Sequence, residues 1–248
     1  MAAAPVTVIV PCFNEAAGLP ALLARLQAMR RQHGVGDWRF LFVDDGSTDA
    51  TFRELLRAAR DEPWIDVVRH HENLGLGAAL RTGFAHAASP VVCTIDSDCT
   101  YPPERLPELT RLLGSDAHIT TASAWHPHSS AAEGERLRIV LSRTVSGVYK
   151  MMIGQDVYTF TCLFRAYGRE VIDRIHFRAD GFSAVAEIML KAILAGLKVK
   201  EVPMGLEPRR YGESKLRVSD AVVAHMHLLT LTALTVGARR LRHALRRA

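Results

Sequence analysis

No stretch of this 248-residue chain approaches the ~20 uninterrupted apolar residues that a membrane span needs. Its start also lacks a basic region followed by a long apolar run, so no secretory leader is read there. Both absences lead to the expectation of a protein that stays in the cytoplasm. Cysteine is sparse: Cys12, Cys93, Cys99 and Cys162 are scattered, contain no C-x-x-C pair, and read as reduced fillers rather than metal ligands or disulfides. Low-complexity tracts and internal repeats are missing as well. What remains is the composition of a soluble globular protein, 48% apolar and 23% charged, long enough to bury one substantial core in a single domain. The formal net charge is +5, and Arg239, Arg240, Arg242, Arg246 and Arg247 match that excess at the extreme C-terminus. Charge confined to one end suits an anionic membrane surface better than a nucleic-acid groove.

Apolar strand patterns alternate with helical ones. A strand over 6–11 ends on Pro11 and is followed by a helix over about 16–31. A second strand, 39–43, runs straight into Asp44-Asp45-Gly46-Ser47-Thr48-Asp49, and a third, 66–69, leads to Asn73-Leu-Gly-Leu-Gly77 and a helix through 87. The fourth, 91–95, is short, β-branched and bounded by Ser89-Pro90 and Pro102-Pro103. A helix over 103–113, a strand over 116–122, a turn-rich loop over 126–134, helices over 135–153 and 182–194, and a strand over 199–202 follow. This rhythm predicts an α/β fold with a mostly parallel, doubly wound sheet whose strands deliver their loops to one rim.

Those loops are acidic. Glu15, Asp44, Asp45, Asp96 and Asp98 fall at strand-to-loop junctions, a density that is costly unless cations or donors compensate it. Asp96 and Asp98 would share a side if the extended geometry of the fourth strand continued to Asp98. Two hard oxygen ligands at the carboxyl edge of an open sheet suit Mg²⁺ or Mn²⁺ bridging a diphosphate. The bland alternative is a solvated turn capping the next helix. Asp45 can accept from a base N–H and Glu15 from ribose hydroxyls, while Asp44 and Ser47 can cap the helix starting near Asp49. Gly75-Leu-Gly77 is not a dinucleotide fingerprint, because the third glycine is not at the required offset.

Four motifs in order, Val8-Ile-Val-Pro-Cys-Phe-Asn-Glu15, Val43-Asp-Asp-Gly-Ser-Thr-Asp-Ala-Thr51, Asn73-Leu-Gly-Leu-Gly-Ala-Ala-Leu-Arg-Thr-Gly83 and Asp96-Ser-Asp-Cys-Thr-Tyr-Pro-Pro103, resemble those of the family 2 inverting glycosyltransferases. Within that family the chain is similar to polyprenyl-phosphate transferases of the dolichol-phosphate mannose synthase kind, over roughly residues 5–220. The resemblance implies an A-type nucleotide-diphospho-sugar transferase fold. It implies a catalytic domain over 1–215, with a nucleotide-sugar half to about 125 and an acceptor half beyond, then a helical segment over 216–248. By the same resemblance Pro11, Phe13, Glu15, Val43 and Asp45 lie around the nucleoside, and Asp96, Ser97 and Asp98 at the metal and diphosphate. Arg209-Arg-Tyr-Gly-Glu-Ser-Lys215 looks like the family's closing loop, with Arg209 and Lys215 supplying charge and Gly212 a close turn.

On the acceptor side the resemblance points to arginines holding a lipid phosphate, and Arg138 and Arg143 are the nearest local match. Thr159-Phe-Thr-Cys-Leu-Phe-Arg-Ala-Tyr167 resembles the family's acceptor-side strand but has Thr159 where many relatives have aspartate and Leu163 where they have glycine. Glu187 is an acid among apolar residues, read as either a structural acceptor for backbone amides or Lys215, or a working base. Residues 216–248 read as an amphipathic interfacial helix, with core packing or dimer formation as alternatives. The function implied is metal-dependent transfer of a hexose, mannose or glucose, from a GDP- or UDP-sugar to a polyprenyl phosphate at the cytoplasmic face of a membrane. The alternatives are transfer to a hydroxyl with Glu187 or Asp156 as base, a non-catalytic nucleotide-sugar-binding module, and a nucleotidyltransferase. The last would need a glycine-rich basic loop where this chain has Pro11-Cys-Phe-Asn-Glu15.

Overall fold

A computed structural model of the protein describes residues 4–130, 136–209 and 218–245. Its strands are β1 (Val6–Cys12), β2 (Arg39–Asp44), β3 (Ile65–Arg69), β4 (Val91–Thr94), β5 (Ile119–Ser123), β6 (Arg165–Gly168) and β7 (Val199–Pro203). The helices between and after them are α1 (Leu19–His33), α2 (Thr51–Asp61), α3 (Leu76–His86), α4 (Leu106–Arg111), α5 (Arg136–Ile153), α6 (Arg169–Arg174), α7 (Ser183–Leu194) and α8 (Val218–Leu245). The strands form one sheet in the order β3-β2-β1-β4-β6-β5-β7. Only β6 among the described strands runs against its neighbours, pairing antiparallel with both β4 and β5.

Alternation along the central strands sorts their side chains into two cores. Val6, Val8 and Val10 of β1 and Phe40 and Phe42 of β2 meet Leu22, Leu26 and Met29 of α1 and Leu55 of α2. Ile9, Leu41 and Val43, one residue out of step, meet Leu80 and Phe84 of α3 and Val185 and Ile188 of α7. Both faces of β1 and β2 are therefore covered, which is why these strands are continuous apolar runs rather than alternating ones. Each fully buried phenylalanine here contributes about 1.5–3 kcal/mol relative to exposure. A third cluster joins Tyr149 of α5, Met189, Leu190 and Ile193 of α7, and Leu228 of α8.

Three expectations change. The segment 159–167 is strand only from Arg165 onward, because the backbone N–H groups of Tyr158, Thr159 and Phe160 donate to the side chains of Glu201 and Ser146 instead of to a neighbouring strand. The fourth strand stops at Thr94, and Asp96 and Asp98 are brought together by a turn with Cys99 in the left-handed region (φ 57°), not by pleat alternation. Finally, Ser219–Ala238 of α8 is long and apolar enough by length and composition to cross a membrane, with 11% of it buried. Asp220, His225, His227 and several threonines interrupt that run in the sequence without making it strongly polar, which corrects the expectation that no such segment exists. Arg210 to Arg217, including Gly212 and Lys215, lie outside the described residues, as do the side chains of Arg138 and of Arg239 onward.

Candidate active site

The sheet order reverses between β1 and β4, whose carboxyl ends therefore open a crevice at the position where such sheets bind ligands. A cavity of about 810 Å³ lies there. Pro11, Phe13, Glu15, Asp45, Asp96, Ser97, Asp98 and Arg209 all line it. Val43 does not: it is fully buried under α3, one side of β2 away from the crevice.

The donor-side walls are stitched by short polar side chains. Asn14, in the left-handed region (φ 54°), accepts the N–H of Thr48 at 2.8 Å, while its own N–H donates to Ser47 Oγ at 2.9 Å. The N–H of Glu15 donates to Thr51 Oγ1 at 2.8 Å. Ser47 is thus spent on the first loop and does not cap α2. Asp49 caps that helix by accepting the N–H of Thr51 at 2.8 Å. Asp44 also caps nothing. It is fully buried and is compensated by Arg69, whose Nε lies 3.1 Å from Oδ2.

Asp45 is held by three protein donors: His70 Nδ1 at 2.7 Å and the N–H groups of Leu74 at 2.9 Å and Gly75 at 2.8 Å. His70 is itself fixed by Thr82 Oγ1, 2.8 Å from Nε2. The glycines of the Asn73–Gly77 stretch serve packing. Gly75 has φ 93°, and a Cβ on Gly77 would lie 1.9 Å from the Ala179 carbonyl oxygen, so α3 touches the segment before α7 backbone to backbone.

The acids at the crevice floor set its electrostatics. Burial and then the neighbouring Asp98 raise the pKa of Asp96 well above that of an ordinary aspartate, and Arg209 opposes them. Thr100 fixes Asp98 by donating its N–H and its hydroxyl to Oδ1, at 3.0 and 2.5 Å. Arg209 Nη2 donates to Glu15 Oε1 at 3.1 Å, and its Nε lies 3.2 Å from Asp98 Oδ2. Among the described residues no cluster of three or more His, Cys, Asp and Glu side chains could by itself hold a metal ion. Two carboxylates with a repulsive charge between them fit the alternative arrangement, in which a hard divalent cation takes one or two carboxylates and completes its shell with phosphate oxygens.

Among the described residues, the opposite wall carries no charged side chain. Trp125 Nε1 donates to Ser142 Oγ at 3.0 Å, and Ser142 Oγ is 2.6 Å from Thr161 Oγ1. Thr159 shares a 2.8 Å hydrogen bond with Ser123 and lines the cavity. Arg143 stands on the exposed side of α5 and does not line the cavity; Ser142, its neighbour, does. Glu187 accepts the N–H groups of Arg178 at 3.1 Å and Ala179 at 2.9 Å and pairs with Lys191 at 2.7 Å. Burial alone would raise its pKa, but Lys191 and those amides outweigh it and hold the carboxyl below the usual value. Asp156 is exposed and paired with Lys150 at 3.0 Å. Neither acid lines the cavity.

Among the organising residues, His70, Trp125 and Ser142 carried no signal in the sequence, and Asn14 and Thr100 stood within the motifs with no role read for them. Arg165 did carry one, as an arginine between Phe164 and Ala166. It is fully buried and donates to the carbonyls of Val185 at 2.6 Å and Phe160 at 2.7 Å, fixing the approach to β6.

The sequence profile described as Glycosyl transferase family 2 matches residues 7–176. A polyprenol monophosphomannose synthase of Mycolicibacterium smegmatis is 30% identical over 222 residues, covering 86% of this chain and 81% of that protein. An undecaprenyl-phosphate 4-deoxy-4-formamido-L-arabinose transferase of Pectobacterium carotovorum is 28% identical over 234 residues, 93% of this chain and 68% of the relative. Among solved structures, glucosyl-3-phosphoglycerate synthase of Mycobacterium tuberculosis, crystallised with Mn²⁺, UDP and phosphoglyceric acid, superposes with a TM-score of 0.69 at 18% identity. That match covers 95% of this chain and 79% of the other, a likeness of fold. With a family profile over most of its length and a crevice built from that family's motifs, the chain belongs to glycosyl transferase family 2 and is a glycosyltransferase.

Proposed function

We propose that the protein transfers a hexose, mannose or glucose, from a GDP- or UDP-sugar to a polyprenyl phosphate, with inversion at the anomeric carbon. One observation carries the choice of acceptor. Every carboxylate lining the described cavity (Glu15, Asp45, Asp96, Asp98) is on the donor side, and the facing wall of Trp125, Ser142, Thr159, Thr161, Cys162 and Phe182 has none. A sugar hydroxyl must lose a proton as it attacks and needs a placed base. A phosphate monoester, with a second pKa of about 6, arrives already anionic. Its oxygen bonds to the anomeric carbon, the bond to the diphosphate oxygen breaks, and the nucleoside diphosphate leaves with the electron pair; no proton has to move.

Asp96 and Asp98 would hold Mg²⁺ or Mn²⁺, which supplies charge neutralisation on the departing diphosphate. Arg209, already at that edge, would reach the same phosphates, and Lys215 is assigned the same task from the sequence. Pro11, Phe13, Glu15 and Asp45 would enclose the nucleoside. The similarity to two transferases named for polyprenyl and undecaprenyl phosphate carriers supports the acceptor. So does the exposed apolar surface of α5 and α8, where Val140, Met151, Val223, Met226 and Leu234 are more than half exposed. Such a surface suits the cytoplasmic face of a membrane that holds the carrier lipid.

The test is to incubate the purified protein with a panel of nucleotide sugars and a short polyprenyl phosphate, with Mn²⁺ or EDTA, and read product masses. A glycosyl phosphopolyprenol formed only with the metal is expected. An enzyme that ignores polyprenyl phosphate and glycosylates a hydroxyl, or that works equally in EDTA, would overturn the reading.

A further inference from the structure

We infer that Arg209 is an internal counter-ion that competes with the divalent cation for Asp98, so that cation binding is conditional on the nucleoside diphosphate. The inference rests on the reading that Asp98 is a metal ligand. Its starting point is the division of labour on that carboxylate. Oδ1 is taken by two donors from Thr100, at 3.0 and 2.5 Å. The other oxygen, Oδ2, has the Arg209 guanidinium 3.2 Å away, and Asp98 lines the cavity. The same guanidinium donates to Glu15 at 3.1 Å, so one positive group bridges the loop after β1 and the loop after β4.

A divalent cation on Oδ2 would stand within a few ångströms of that guanidinium, and like charges so close in a partly buried site disfavour one another. Arg209 must leave for the cation to enter. The backbone leading to it is anchored, since the N–H of Glu207 donates to the Thr100 carbonyl at 2.9 Å, so the departure is a swing of the side chain. A bare cation gives the displaced guanidinium no new partner. A diphosphate does, because its oxygens accept from arginine in charge-assisted hydrogen bonds and also complete the cation's shell. The nucleotide thus exchanges the partners of Arg209, from Asp98 to phosphate, and vacates the oxygen the cation needs. By linkage the two ligands must then favour each other's binding by the same factor.

The experiment is a Mn²⁺ titration followed by electron paramagnetic resonance, with no sugar or acceptor present, on the full chain and on Arg209→Ala, each alone and with saturating UDP or GDP. Arg209→Ala should bind Mn²⁺ alone about tenfold more tightly than the unaltered protein, a factor typical of coupled sites, and should show a smaller gain on adding nucleotide. Arg209→Gln, which keeps the size and removes the charge, should behave in the same way and guards against a folding defect. Equal or weaker Mn²⁺ binding by both variants without nucleotide would overturn this inference alone. Failure of every protein to bind Mn²⁺ even with nucleotide would overturn it together with the metal reading.

Discussion

Arg25 of α1 grips Glu104 through two parallel hydrogen bonds of 2.8 and 2.7 Å, in the fork geometry that only arginine offers. Its remaining terminal nitrogen lies 3.7 Å from Glu207, two residues before Arg209. One side chain therefore ties the segment after the Asp96–Asp98 turn to the segment that carries Arg209. These groups are partly exposed, so Arg25→Ala should change stability by no more than about 1 kcal/mol. It should instead raise the KM for the nucleotide sugar several-fold, and Arg25→Lys should restore little of it. A thermal melt beside steady-state kinetics separates the two effects; a large melting shift with unchanged KM would make Arg25 merely structural.

Thr100→Val keeps the β-branched shape and the backbone donor but deletes the hydroxyl that holds Asp98 Oδ1 at 2.5 Å. A hydrogen bond to a charged group contributes about 1.5–3 kcal/mol. The expected loss is therefore about tenfold or more in kcat/KM, with Thr100→Ser close to the unaltered enzyme.

Asp44 is fully buried beside Arg69, which is half-exposed. Arg69→Ala leaves a carboxylate without its cation and should cost about 3 kcal/mol. Adding Asp44→Asn should recover part of that cost, because the uncompensated charge goes with it. Urea unfolding of the two single variants and the double variant gives the coupling directly.

His225 of α8 and Tyr149 of α5 share a hydrogen bond of 3.0 Å, and burial lowers the His225 pKa from 6.5. The unfolded chain then binds the proton more readily than the folded one at pH values just below 6.5. The stabilisation is complete above 6.5 and is lost as the pH falls toward the lowered value. Unfolding free energies at pH 7.5 and 5.5 should differ more for the unaltered protein than for His225→Gln.

The outward face of α8 should matter to lipid and not to the fold. Val223 and Leu234 are 70% and 67% exposed. Val223→Asp with Leu234→Asp should leave the melting temperature and donor affinity unchanged while weakening flotation with vesicles of anionic lipid. Equal flotation would point to a packing or dimer role for that face.

The donor side was legible because β1, β2 and β4 are covered on both faces: Val8-Ile-Val and Phe40-Leu-Phe-Val43 are short apolar runs that read as buried strands, and the residue that ends each one, Pro11 and Asp44, marks the rim. The position of Asp45 could be read in the same way; its three donors could not, since they come from residues 25 to 30 positions later. The acceptor side was less legible. Tyr158–Phe164 has a strand's composition, yet Glu201, some forty residues on, accepts the N–H groups of its first two residues. Arg143 followed a family pattern, whereas the face of α5 that meets the cavity is fixed by the Ser142 contact with Trp125. The apolar content of α8 was masked by histidines and threonines, which break a run of letters while the segment as a whole stays apolar.

The reversed direction of β6 has a consequence for how such an enzyme can be remade. Because β6 enters the sheet from the rim, the whole excursion from the end of β5 to the start of β6 leaves and rejoins the scaffold at adjacent strands paired Ile119 to Tyr167 and Thr121 to Arg165. It works as a cassette clipped between two fixed points. On the proposed function, exchanging residues 125–164 for the equivalent stretch of a relative should change which acceptor is used and leave donor affinity unaltered, because the registers of β1, β2, β3 and β4 lie outside the exchanged stretch.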